Sequence, residues 1–272
     1  MNIDRDKLSP MMKRYFQIKD NYPDCLLFFR LGDFYEMFFD DAVTASRVLD
    51  LTLTGRDCGL DERAPMCGVP YHAVDNYIRR LIENGYRVAI CEQLSDPATS
   101  KGLVDRDVVR VVSSGTVMEE DILDEKQSND LCSIFSNSNS FGIAWTDIST
   151  GEFDVYEYTG DDYLERLSNI LGSIAPSEII CNEDFVSKYQ KVRYFVSNEK
   201  RAHCYHDFAY NVSTATRKII SAFKVGSLDV FELGDKNKAV AAAGGLLEYL
   251  AQTQKRSLGQ LTKIAFLHDR SF

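Results

Sequence analysis

The sequence has little that would mark a membrane-spanning, secreted or metal-binding protein. It contains no run of about 18 apolar residues, so no segment is predicted to span a membrane. Its seven cysteines form no Cys-x-x-Cys pair, which argues against a zinc site, and no metal site is predicted. The odd number of cysteines and their apolar surroundings favour free thiols in a reducing compartment, which predicts a cytoplasmic protein.

The chain also lacks an excess of positive charge. Its 31 basic and 41 acidic residues give a net charge of −10, whereas a protein that coats nucleic acid in general would be basic. Residues 1–110 have a net charge of −3 and residues 111–272 one of −7. Any contact with DNA is therefore expected as a local patch in the first half. No Gly-x-x-x-x-Gly-Lys-Ser/Thr loop occurs, so no nucleotide cofactor is predicted for this chain.

The 272 residues, of which 44% are hydrophobic, are enough for two domains with proper cores. Alternating strand and helix patterns predict an α/β fold with a mixed-sheet first domain. The predicted helices lie at about 10–20, 35–50, 72–84, 161–172, 213–224 and 236–255. The predicted strands lie at 25–31, 51–54, 86–94, 107–112, 132–135, 141–147, 152–158 and 178–181.

Residues 28–39 hold six aromatic side chains, more than one small core usually places together. Phe34 follows the turn predicted at Gly32-Asp33, and two roles are open for it. It is either a core aromatic or a wedge that enters the minor groove of DNA and parts a base step. Unstacking costs least where a base is already mispaired, so a wedge would select mismatches without a fixed sequence.

Glu36 also has two possible roles. Asp33-Phe34-Tyr35-Glu36 fits a helix capping box, with Asp33 as the N-cap and Glu36 three residues later. In the functional interpretation, the Glu36 carboxyl group bonds the displaced base. Among the basic residues of the first half, Arg56 and Arg106 lie in or beside loops and are the better candidates for contacts with the DNA backbone.

The second half begins after an acidic stretch, residues 116–130, which is predicted to be a solvated linker. Three antiparallel strands followed by helix, strand and helix over residues 131–260 are typical of a ribonuclease-H-like domain, an analogy of topology alone. Such folds include nucleases, and Asp147 ends a strand where a metal-binding acid could lie. No further acids can be assigned to a cluster, and two-metal chemistry needs several.

Several motifs resemble the MutS family of bacterial DNA mismatch-repair proteins. In the first half they follow one another in the family's order over about 90 residues: Leu31–Phe38, Gly68–Val74, Ala89–Gln93, Asp96–Gly102, and Val109–Val112 with Gly115-Thr116. The second half is similar to the family's connector domain in a looser way, through Phe141–Ala144, Asp147–Gly151, Ala242–Leu247 and Tyr249.

The resemblance implies a mismatch-recognition domain at 1–115, a connector domain at 131–260 and the start of a lever region at 261–272. It implies that Phe34 is the intercalating wedge, that Glu36 bonds the mispaired base, and that Arg56 and Arg106 lie near the DNA backbone. The full-length family protein is a homodimer with lever, clamp and ATPase domains. ATP and magnesium are therefore expected only for that protein, and this chain is not expected to be an enzyme.

The expected partners are mismatched double-stranded DNA and, through the connector, a repair protein of the MutL type. One alternative is a protein-docking module that does not itself bind DNA, which the acidic second half supports in part. The other alternative is the ribonuclease-H-like nuclease.

Overall fold

The chain forms two compact units, Met1–Ser113 and Ser114–Phe272. The computed structural model describes residues 3–95, 105–117, 129–186, 202–255, 259, 261 and 263–268. Each unit is built on one mixed six-stranded sheet with helices, so the predicted α/β class is confirmed for both.

The described residues of the first unit form three α-helices and six strands. Helix α1 begins at Pro10, where the Ser9 hydroxyl oxygen accepts a hydrogen bond from the Met12 amide, as expected of an N-cap. In chain order the elements are α1 (Pro10–Lys19), β1 (Cys25–Leu31), β2 (Phe34–Phe38), α2 (Phe39–Leu49), β3 (Thr54–Arg56), β4 (Ala64–Pro70), α3 (Val74–Glu83), β5 (Arg87–Gln93) and β6 (Arg106–Val112).

The strand order of the first sheet is β3-β4-β2-β1-β5-β6. Strands β1 and β5 are parallel, and every other neighbouring pair is antiparallel. The predicted strands included none at Ala64–Pro70, yet these residues form β4, which pairs with β3. The short strand predicted at 51–54 lies later, at Thr54–Arg56.

The helix predicted over residues 35–50 begins only at Phe39, and the capping box at Asp33 and Glu36 does not form. Residues Phe34–Phe38 instead make strand β2, which pairs with β1 on one side and with β4 on the other. The period of two in this segment explains the difference, since Tyr35 and Met37 are buried on one face while Phe34 and Glu36 lie on the other. Pairing with two neighbouring strands provides hydrogen-bond partners for more backbone N–H and C=O groups of this segment than a helix cap would provide.

A buried carboxylate ties α1, β1 and α2 together behind this sheet. Asp41 accepts hydrogen bonds from the Leu27 amide at 3.0 Å and the Tyr15 hydroxyl at 3.1 Å, and its other oxygen lies 2.9 Å from the Lys19 ammonium. Burial, followed by the charge of Asp41, raises the pKa of Tyr15. The network holds α1 against one face of the sheet, where Tyr15 packs edge-on against Phe38 at a ring-centroid distance of 5.2 Å.

The second unit begins with three antiparallel strands. In chain order its elements are β7 (Leu131–Asn137), β8 (Ser140–Asp147), β9 (Glu152–Thr159), α4 (Tyr163–Ile174), β10 (Glu178–Cys181), β11 (Ala202–Cys204), α5 (Val212–Phe223), α6 (Asn237–Gln254) and β12 (Lys263–Phe266). The sheet order is β11-β10-β7-β8-β9-β12, with β10 parallel to β7. The order of β7, β8, β9, α4 and β10 is the arrangement predicted for a ribonuclease-H-like domain. The sequence pattern did not predict β11, which pairs in parallel with β10, or β12, which pairs in parallel with β9.

Helix α6 packs so closely on this sheet and on α5 that small residues are required at the contacts. A Cβ added at Gly142 on β8 would lie 2.0 Å from the Lys238 carbonyl oxygen. A Cβ added at Gly244 would lie 2.2 Å from the Ala215 Cβ. The start of α6 is held by Glu157 of β9, whose Oε2 accepts from the Lys238 amide at 2.6 Å.

The first residues of the predicted acidic linker, 116–130, belong to the second unit. The Gly115 amide donates to the buried Glu178 carboxylate at 3.0 Å, and Thr116 is buried. Residues 118–128, which carry the acidic cluster, lie outside the described residues.

Candidate nucleic-acid interface

Phe34 stands directly after a tight turn that joins β1 to β2. Leu31 pairs with Phe34, so only Gly32 and Asp33 form the loop. Gly32 has a φ of +57°, a conformation that glycine adopts without strain and that a type II′ hairpin turn requires at this position. The Asp33 carbonyl oxygen accepts from the Tyr71 amide at 3.0 Å, which fixes the turn to the end of β4.

Phe34 is 47% exposed, whereas Phe28, Phe29 and Phe38 are completely buried. Side chains of β2 that share a face with Phe34 become more buried along the strand, through Glu36 to Phe38. Phe38 lies under α1, as its contact with the Tyr15 ring shows. The wedge hypothesis needs an exposed Phe34, and the structure meets that condition.

Glu36 and Arg56 come together, although 20 residues separate them. The Arg56 guanidinium donates through Nη1 to the Glu36 Oε2, and the Glu36 side chain is 16% exposed. Arg56 lies on the edge strand β3, so its side chain reaches across β4 to β2. The residue of β4 opposite Glu36 is Gly68. A Cβ added at Gly68 would lie 3.3 Å from the Tyr35 carbonyl oxygen and 3.4 Å from the Glu36 Cγ.

Arg106 does not lie where a phosphate contact would need it. It is 5% exposed, its Nε donates to the Arg30 carbonyl oxygen at 3.1 Å, and its Cζ lies 5.2 Å from the centre of the Phe29 ring. Burial lowers the pKa of Arg106. This geometry argues against a contact between Arg106 and the DNA backbone, because the guanidinium is buried and already bonded to the Arg30 carbonyl oxygen.

Sequence reasoning missed a second cluster at the same end of the sheet, on its opposite face. The Arg30 Cζ lies 3.8 Å from the centre of the Tyr71 ring, which is 43% exposed, and 5.4 Å from that of Tyr35. Tyr35 donates its hydroxyl to the Glu92 carboxylate. Burial, followed by this hydrogen bond, raises the pKa of Tyr35. The signal available in the sequence was the alternation of β2, which sends Tyr35 to the face opposite Phe34.

Asp147, the acid on which the nuclease alternative rests, is engaged in a turn. Its Oδ1 accepts from the Ser149 amide at 2.8 Å and hydroxyl at 2.6 Å, and its Oδ2 accepts from the Asn129 amide at 3.0 Å. Within the described part of the chain, no group of three or more His, Cys, Asp or Glu side chains could hold a metal ion. The described residues therefore lend the nuclease alternative no support.

Two further features bear on the predictions. The motif at Asp96–Gly102 lies outside the described residues. Across the helices that are described, none is both long and apolar enough to cross a membrane.

Two models of known protein families match most of the chain. The family model of MutS domain I matches residues 9–121, and that of MutS domain II matches residues 129–262. The first match contains Phe34, Glu36 and Arg56, and the second runs from before β7 to beyond α6 and ends just before β12 begins.

Individual relatives agree with these matches. The DNA mismatch repair protein MutS of Acetivibrio thermocellus is 47% identical over 263 residues, which cover 93% of this chain and 29% of the relative. That of Alkaliphilus metalliredigens is 46% identical over 264 residues, 94% of this chain and 29% of the relative. That of Clostridioides difficile is 42% identical over 273 residues, 100% of this chain and 28% of the relative. The chain therefore spans less than a third of the length of these relatives, and it belongs to the MutS family through its domains I and II.

Proposed function

We propose that the first unit recognises mismatched DNA, with Phe34 as a wedge in the minor groove and Glu36 as the acid that bonds the mispaired base. The observation that carries the proposal is the exposure of Phe34, 47%, beside completely buried phenylalanines of the same sheet. Three relatives that match along nearly the whole chain are named DNA mismatch repair proteins.

Phe34 is suited to act as a wedge because its position is rigid while its side chain is exposed. The two-residue turn, the pairing of Phe34 with Pro70 and the hydrogen bond of Tyr71 to Asp33 all restrain the backbone at this point. An apolar ring inserted into a base step kinks the duplex at a cost of a few kcal/mol. Because a mispaired step is already weakly stacked, it resists this deformation least, and selectivity follows without base-specific readout.

Glu36 lies two residues from Phe34 on the same face of β2, so both side chains can contact the same base step. An ionised carboxylate only accepts hydrogen bonds, and the edge of a displaced base offers N–H donors. Arg56 is the basic residue of this site, whereas Arg106 is left out of the proposed interface because it is buried.

For the whole protein, we propose the part in mismatch repair that the family name describes. In this proposal the first unit reads the DNA, and the second unit serves as a connector that docks a MutL-type repair protein. The whole protein acts as a homodimer in the cytoplasm, and ATP and magnesium bind in a part of it that lies beyond domains I and II. The net charge of −10 predicts that this chain alone binds DNA weakly. Few contacts with phosphates also predict a shallow dependence of binding on salt.

Equilibrium binding to a G·T duplex and to its matched G·C control, at low and at physiological salt, tests the proposal. We expect the chain to prefer the G·T duplex and the Phe34→Ala variant to bind both duplexes equally. Val43→Ala is the matched control, because Val43 is an apolar residue of the same unit that is 43% exposed on α2. A Phe34→Ala variant that keeps its preference for the mismatch would contradict the proposal, and a chain that binds neither duplex would favour the docking alternative.

A further inference from the structure

The contact between Arg56 and Glu36 has features that a phosphate-binding arginine would not need. The guanidinium engages the Glu36 Oε2, and its Cζ lies 6.0 Å from the centre of the buried Phe38 ring. The Arg56 side chain is 36% exposed and the Glu36 side chain 16%. The arginine therefore lies along the sheet, with its charge directed at the carboxylate.

Only one of the two carboxylate oxygens is used in this contact. The guanidinium donates to Oε2, and among the contacts of the described residues none occupies Oε1. An arginine that binds one oxygen restricts the rotation of the whole carboxylate group, because both oxygens turn together. The second oxygen keeps its capacity to accept a hydrogen bond.

We propose that Arg56 is a positioning residue, which holds the Glu36 carboxylate through Oε2 and so presents Oε1 to an N–H group of the mispaired base. This inference rests on the proposed function, and it makes Arg56 a determinant of specificity. The ligand class that it selects is a base with an imino or amino hydrogen that its mispaired partner does not fully bind.

Binding data can distinguish two roles of Arg56, that of a positioning residue and that of a phosphate contact. An arginine that binds a phosphate strengthens binding to every duplex, and its loss reduces the slope of log K against log salt by about 1. An arginine that positions Glu36 changes the ratio of affinities for mismatched and matched DNA. The salt slope then stays nearly the same, because the charge of Arg56 is already balanced by the carboxylate.

The test compares Arg56→Gln, Glu36→Gln and the double variant in binding to the G·T and matched duplexes at two or more salt concentrations. We expect Arg56→Gln to lower the ratio of the two affinities roughly tenfold, as for the loss of a hydrogen bond to a charged group. In the Glu36→Gln background the same substitution should lower the ratio no further. Arg63→Gln is the matched control, because Arg63 is an exposed arginine in the connection between β3 and β4.

The outcomes separate this inference from the proposed function. If Glu36→Gln leaves the ratio unchanged, the proposed role of Glu36 fails. If Glu36→Gln changes the ratio and Arg56→Gln does not, or if Arg56→Gln weakens both duplexes equally and reduces the salt slope, the inference alone is overturned.

A measurement without DNA completes the test. In thermal unfolding, the double variant should lose less than the sum of the two single losses, by about 2–4 °C in Tm. Additive losses would show that the pair does not form in solution and would overturn the inference even where binding is too weak to compare.

Discussion

Phe34 and Phe38 are chemically identical residues on the same face of one five-residue strand, and their surroundings differ completely. Phe38 is buried between the rings of Tyr15 and Phe29, while Phe34 extends past the region that α1 covers. The strand therefore contains both a core residue and the proposed DNA-reading residue. Their separation by four positions lets the core hold the exposed ring in place.

The pair makes a direct test of the two roles considered for Phe34. We expect Phe34→Ala to change the free energy of unfolding by no more than about 0.5 kcal/mol, as is usual for surface substitutions. Phe38→Ala should cost about 3–5 kcal/mol, because it leaves a cavity in a packed core. Denaturant unfolding of both variants measures the difference. A large loss for Phe34→Ala would show that the ring is part of the core and would remove the basis of the wedge.

At the scale of elements, the contact between β8 and α6 determines how the second unit packs. Gly142 faces the first turn of α6, and a side chain there would meet helix backbone, which cannot rotate away as a side chain could. Gly172 is also a glycine of this unit, but it is exposed in α4, and a Cβ added there would point into open space.

Alanine at these two glycines is expected to have opposite effects. Gly142→Ala should destabilise the protein by at least about 1–3 kcal/mol, the usual cost of overpacking. Gly172→Ala should stabilise it by about 0.5–1 kcal/mol, because alanine favours a helix interior over glycine. Thermal or denaturant unfolding of the two variants checks both signs. Equal effects would mean that α6 does not approach β8 as closely as described.

At the scale of the whole molecule, the buried thiols contribute a dependence of stability on pH in the alkaline range. All seven thiols are free, and six of them are buried. Burial raises the pKa of Cys67 to about 11 and the pKa values of Cys91 and Cys181 to about 12. A thiol in an unfolded chain has a pKa of about 8.5, so the folded protein holds these protons over a range in which the unfolded chain loses them.

The sign of the effect follows from this difference in pKa. Below pH ~8 both states keep their thiol protons, and the thiols cause no dependence on pH. Between pH ~8.5 and ~11 the unfolded state binds fewer protons, so the free energy of unfolding should fall by about 1.4 kcal/mol per pH unit for each such thiol. Denaturant unfolding under reducing conditions from pH 7 to 10.5 measures this decline. Constant stability across that range would contradict the burial of the thiols.

Reaction with a thiol reagent in native buffer provides the control. Only Cys204 is exposed, so one thiol should react quickly and the other six only upon unfolding. The variant Cys204→Ser should lose the fast phase.

Many of the helices and strands could be predicted from the residues of each segment alone. Helix α3 and helix α6 follow from their hydrophobic periodicity, and the antiparallel order of β7, β8 and β9 follows from short strand-like runs separated by turns. Strand β2 could not be predicted in this way, because its aromatic residues also fit the start of a helix. This segment is a strand because it pairs with both β1 and β4. Such pairing depends on residues that are distant in sequence.

The sequence by itself determined the α/β class, the free-thiol chemistry and the motifs whose order marks the MutS family. Only the tertiary structure decided which aromatic ring is exposed, that Arg56 reaches Glu36, and that Arg106 is enclosed against Phe29. The physical reason is that periodicity and motif are local properties of the chain. Exposure and ion pairing instead depend on which helix covers which part of a sheet and on which strands become neighbours.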